Sequence, residues 1–164
     1  MRMLGATAAI AVVMAAGLAQ AEDKDLPPVA VYLVQPKAQF VDTELQQRID
    51  STKDMRYAFS KKLVRLVESP EEATIVLEVL GRTAQSTDQR KVTRNAFGQL
   101  GSESMKEKVV AVKLTVGDYS TQIDGHDAEN EYTVGGSQWK VAAFNAVHQI
   151  ENWIKKNRDK LAQK

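Results

Sequence analysis

The run KVVAVKLTVGDYSTQIDG, Lys108 to Gly125, leaves this chain little choice of architecture. Val110, Val112, Leu114 and Val116 recur at every second position, with Lys113 and Thr115 between them. That period puts one row of side chains on a core and the other toward solvent. Gly117 and Asp118 supply a tight turn, and Tyr119, Thr121 and Ile123 return along one side of a partner strand. A hairpin with one apolar face needs a covering layer. The last element provides one: Ser137 can cap a helix in which Trp139, Ala143, Ala146, Ile150, Trp153, Ile154 and Leu161 form a single apolar stripe. Lysines and Arg158 crowd its final turns, where cations suit the negative end of the helix dipole.

Upstream, VAVYLVQP (Val29 to Pro36) reads as a strand buried on both faces and ended by proline. From Asp42 to Lys62 the period turns helical, with Leu45 and Ile49, then Met55, Ala58, Phe59 and Leu63 at three-and-four spacing. Ser51 with Asp54 resembles a capping pair, which predicts two helices jointed near Ser51. LVRLVE (Leu63 to Glu68) suits a short strand, and SPEEA (Ser69 to Ala73) a single helical turn. In TIVLEVLG, Ile75, Leu77 and Val79 face one way and Val76 and Leu80 the other, as in a central strand. The expected fold is therefore α+β. It is a two-layer sandwich with a mixed or antiparallel sheet of about four to five strands and two major helices on one face.

The chain opens on Arg2 and an apolar run, Leu4 to Ala19, followed by Ala19-Gln20-Ala21 and the charged EDKD. This is the pattern of a signal peptide cleaved after Ala21, so residues 1–21 are expected to be removed and the protein to be periplasmic or secreted. An uncleaved anchor is disfavoured, because the run falls short of the roughly 20 apolar residues a spanning helix needs. With no cysteine in the chain, acylation as a lipoprotein is excluded. Residues 22–28, ending in two prolines, read as a flexible leader, and 29–164 as one domain.

Arg2 is the only charge lost with residues 1–21, so the 22 basic residues become 21, against 21 acidic. A balanced chain has no electrostatic footprint for nucleic acid and no long-range pull toward anionic lipid. Stability must come from packing, since disulfides, thiol chemistry and cysteine metal sites all require a residue the chain lacks.

IDGHDAENEY, Ile123 to Tyr132, gathers Asp124, Asp127, Glu129 and Glu131 around His126. Gly125 stands too early for a calcium loop, and His126 alone is a poor start for zinc. His148 falls off the apolar stripe of the last helix and is no second ligand. Catalysis would need a carboxylate in an apolar pocket, and this stretch is polar almost throughout. It reads as a solvated loop leaving a strand, with no metal and no cofactor. VGGS (Val134 to Ser137) could offer backbone amides to an anion, but it reads as a joint followed by a serine cap. No G-x-S-x-G elbow and no phosphate-binding glycine loop is present.

The segment AQSTDQRKVTRNAFGQLGSESMKEK, Ala84 to Lys108, is a long connection between two strands. Loops of that length are binding elements or disordered. Arg90, Lys91 and Arg94 followed by Phe97 and Leu100 place cations beside an aromatic side chain, a combination that can grip a partner protein or a glycan. Against this stands the plainer reading of a mobile hairpin tip.

LVRLVESPEEATIVLEVLGR, with VVAVKLTVGDYSTQIDG and a closing helix that carries tryptophans, resembles a pattern found in small exported bacterial envelope proteins. The order of elements is similar to that of the amino-terminal domain of the Tol-system protein TolB and related envelope assembly modules. That resemblance implies protein–protein contact and no catalysis. The expected function is binding of another cell-envelope protein. A small-molecule or glycan-binding module is the alternative, and a hydrolase with a carboxylate pair the second alternative.

Overall fold

The structure is a computed structural model and describes residues 27–37, 42–61, 63–128 and 137–161. The expected signal peptide and most of the leader lie outside these residues. In chain order the elements are β1 (Val29–Leu33), α1 (Thr43–Ala58), β2 (Val64–Val67), a 3-10 turn (Pro70–Glu72), β3 (Ile75–Arg94), β4 (Leu100–Val116), β5 (Tyr119–Ala128) and α2 (Gln138–Leu161). The fold is α+β with a mixed sheet, ordered β2-β1-β3-β4-β5 among the described residues.

The mixture follows from the connections. A helix carries the chain from β1 to β2, and such a crossover is what a parallel pair requires. β3, β4 and β5 follow one another through turns and pair antiparallel. β3 is the central strand, as its unbroken apolar run predicts. Ile75, Leu77 and Val79 meet Val110, Val112, Leu114, Val31 and Leu33 in one buried cluster. α2 packs against β4 and β5, α1 against β3, and the two helices touch each other. The apolar stripe of α2 is buried as read, with Ala143, Ala146, Ile150 and Ile154 inaccessible and Trp139 and Trp153 partly covered. α2 lies directly against Gly125 of β5.

Three expectations are corrected. There is no joint at Ser51. α1 is continuous, and Asp42 caps it by accepting a hydrogen bond from the Leu45 amide at 2.7 Å. Ser51 is buried, and its hydroxyl accepts from Arg82 Nε at 2.8 Å, so the residue that resembled a cap is a tertiary contact. Leu45 and Ile49 are only half-buried, while Ser51, Thr52 and Met55 face the core. Second, Arg158 does more than complement the helix dipole: it is buried, and its Nη2 donates to the Pro27 carbonyl at 2.8 Å. That bond ties the end of the expected leader to the last turns of α2.

The third correction bears most on function. The segment from Ala84 to Lys108 is not a loop. β3 continues to Arg94 and β4 begins at Leu100, so the expected connection is a β-hairpin. β1 leaves β3 after Leu77, and β5 leaves β4 at Glu107. Arg48 takes over from β1 at the edge of β3: its Nε donates to the Val79 carbonyl at 2.9 Å, and its Nη2 meets Glu78 at 3.1 Å. Otherwise that carbonyl would face outward unpaired.

Candidate functional site

Beyond Ser86 and Lys106 the two strands pair, among the described residues, only with each other and form a ribbon projecting from the sheet. Three residues of β3, 87 to 89, lie opposite Met105 alone, and the Thr87 hydroxyl donates to the Met105 carbonyl at 3.2 Å. Such a bulge bends a ribbon and increases its twist. From the bulge, regular pairing resumes at Arg90 opposite Ser104 and runs to Arg94 opposite Leu100. At about 3.3 Å per residue the ribbon reaches roughly 20 Å from the sheet.

The tip is a built turn. Gly98 donates to the Asn95 carbonyl at 3.0 Å, and Asn95 donates back to the Gln99 carbonyl at 3.0 Å. Gly98 has φ 77°, the left-handed conformation that a three-residue hairpin loop needs at this position. The Asn95 side chain fills the loop: its Oδ1 accepts from the amides of Phe97 and Gln99 at 3.0 and 2.9 Å, and its Nδ2 donates to Gln99 Oε1 at 2.8 Å. Phe97 stands at the summit of this network with 90% of its surface exposed.

Alternation along the ribbon sets Arg90, Val92, Arg94 and Leu100 on one face. Val92 and Leu100 are 72% and 68% exposed, and both arginines are exposed. Of the expected site residues, Arg90 and Arg94 therefore share a face and Phe97 crowns it. Lys91 alternates to the opposite face, where its backbone is paired with Glu103, and its side chain lies outside what is described. Val92, on that same exposed face, was not singled out in the sequence. Once NAFG, Asn95 to Gly98, is recognised as a turn, two-residue alternation back from Arg94 marks it.

The root of the ribbon is braced on both sides. On one, Gln85 Nε2 donates to Glu107 Oε2 at 3.1 Å, and Glu107 Oε1 meets His126 Nδ1 at 3.1 Å, linking β3, β4 and β5. On the other, the Arg82 guanidinium and the Lys108 ammonium both approach the Trp139 ring of α2, each 5.2 Å from its centroid. Burial lowers the pKa of Arg82, while Asp50 and Asp54 act in the opposite direction. Arginine stays charged regardless.

His126 and Asp127 belong to the run expected as a solvated loop. The strand instead continues through it to Ala128, which carries Asp127 into the interior. Asp127 Oδ2 has no hydrogen-bond partner, and burial, then the neighbouring Glu107, raises the carboxyl above its ordinary pKa. Glu129 and Glu131 lie outside the described residues. Among those described, no three histidine or acidic side chains converge as metal ligands would, and no helix is long and apolar enough to cross a membrane.

No protein-family model matches the chain, and no curated protein matches it.

Proposed function

We propose that this chain is an exported, non-enzymatic domain that binds another protein of the cell envelope through the β3–β4 ribbon. One observation carries the reading: Phe97 is held almost fully exposed by a turn whose hydrogen bonds are satisfied internally. An aromatic side chain left in water has no role in stability, whereas aromatic and arginine side chains supply most of the energy at protein interfaces. A turn ordered in advance also lowers the entropy lost on binding. The partner's surface would offer a pocket for Phe97 and carboxylates for Arg90 and Arg94.

The accompanying layout is a two-layer sandwich with both helices over one face of the sheet. Its support is the alternation in burial: Val31, Leu33, Leu77, Val112 and Leu114 are inaccessible, while Tyr32, Val76, Thr115 and Lys113 are partly or largely exposed. Location in the periplasm or outside the cell, with cleavage after Ala21, rests on the amino-terminal sequence. The resemblance of the element order to that of envelope assembly modules supports the same reading.

The test is a photoreactive phenylalanine analogue at position 97, with a control at the exposed Lys53 of α1. Irradiation of intact cells should give one defined adduct from position 97, lost when Arg90 and Arg94 become Glu. The same adducts from both positions, or none from position 97, would reject the proposal.

A further inference from the structure

Among the described residues three groups of aromatic side chains make ring or cation contacts, and the chain covers two of them with its own cations. Trp139 takes both Arg82 and Lys108 over its ring. The Tyr57–Phe144 pair lies beneath Lys140, whose ammonium is 5.6 and 5.5 Å from the two ring centroids. The third pair is left open. Tyr119, just past the β4–β5 turn, and Trp153 of α2 lie 6.2 Å apart, with their ring planes only 12° from parallel. No cation covers either ring among the described residues. They border a cavity of about 330 Å³, completed by Val116, Asn157, Lys160 and Leu161.

The polar groups at its rim are placed. Asn157 Nδ2 donates to the Trp153 carbonyl at 2.9 Å, which fixes the amide and leaves its Oδ1 to accept a hydrogen bond. Lys160 is exposed and makes no ion pair among the described residues. The cavity thus combines nearly parallel rings, one fixed acceptor and one mobile cation, within the size range of small ligand sites. An aliphatic chain would use the apolar wall and waste both polar groups. A pyranose ring uses all of them: its C–H face lies on the aromatic surface while its rim hydroxyls and any carboxylate reach Asn157 and Lys160.

We propose that this cavity is a saccharide site whose preferred ligand is a pyranose with a negatively charged rim substituent. It lies at the opposite end of β4 from the ribbon, some 50 Å from the tip at about 3.3 Å per residue. The two sites share no residue, so either can fail without the other. The domain would then hold a protein at one pole and an acidic glycan at the other.

The test is calorimetric titration of the full chain with trigalacturonate and with chitotriose, while the two indole N–H resonances are followed by NMR. Trigalacturonate should bind saturably and shift the Trp153 resonance while leaving that of Trp139 in place, and chitotriose should bind more weakly. Tyr119→Ala should weaken both sugars about tenfold, and Lys160→Ala should remove the preference for the acidic one. Both substitutions are at exposed positions and spare the core, whereas Trp153 packs against it. Naphthalene sulfonate is the competing probe. Binding of that aromatic anion alone, no binding of either sugar, or sugar binding unchanged in Tyr119→Ala would overturn the proposal.

Discussion

Gly125 of β5 and Ala146 of α2 stand closer than any side chain at position 125 would allow. A Cβ built on Gly125 falls 2.6 Å from Ala146 Cβ and also overlaps backbone atoms of Ala142 and Ala146. Strand and helix are in backbone contact at this point, and the small residues Ala142, Ala143 and Ala146 on the facing turns permit it.

Gly125→Ala should therefore destabilise the fold strongly. The methyl group meets main chain, which cannot rotate away, so α2 must lift from β5. Overpacking costs typically about 1–3 kcal/mol and sometimes more, and this site belongs at the upper end. Chemical denaturation should show a lower midpoint with little change in slope. A midpoint equal to that of the wild type would mean that α2 does not rest on β5 there.

Asp127 makes stability depend on pH. Its folded carboxyl, raised by burial and then by Glu107, keeps its proton to higher pH than the unfolded chain does. Its contribution is fully present below the unfolded pKa and is lost as pH rises through the folded one. Asp127→Asn removes that dependence. The Tm of the variant minus that of the wild type should grow more positive from acid to neutral pH, as followed by circular dichroism. A constant difference, or one of opposite slope, would contradict this.

The tip turn should be separable from the fold. Asn95→Ala leaves three hydrogen bonds unmade, and Gly98→Ala strains a left-handed residue, yet neither touches the core. Tm should fall by no more than a few degrees for a ΔΔG near 1 kcal/mol. Amide exchange at residues 96–99 should quicken, and the yield of partner adduct from position 97 should drop several-fold. Unchanged exchange would show that Asn95 does not organise the loop.

Residues that bury a face were legible in the sequence. The alternation of Val110 to Val116 and the stripe from Ala143 to Ile154 are imposed by contact with a core, so they read directly as strand and helix. The ribbon was not legible, because its described side chains are not buried: QSTDQRKVTR shows no apolar alternation and resembles a loop by composition. Its only local signal was the turn chemistry of Asn95 and Gly98. Asp127 was hidden for the opposite reason, since its stretch of sequence is mostly polar while β5 continues through it and buries it. Ser51 misled because a hydroxyl that can cap a helix can equally accept from a distant arginine. Arg90, Arg94 and Phe97 were singled out by their chemistry, and the face that Arg90 and Arg94 share was not legible.

Removal of the ribbon tests most directly whether it carries the binding surface. Replacing residues 87–105 by Asn-Gly joins Ser86 to Lys106 through a two-residue hairpin turn and keeps their register. No residue in that span whose side chain is described is buried, so the shortened domain should retain its Tm within a few degrees. In cells it should no longer compete with the full chain for the protein captured at position 97. A shortened domain that folds and still displaces the full chain from its partner would place the binding surface on the body of the fold and contradict the account.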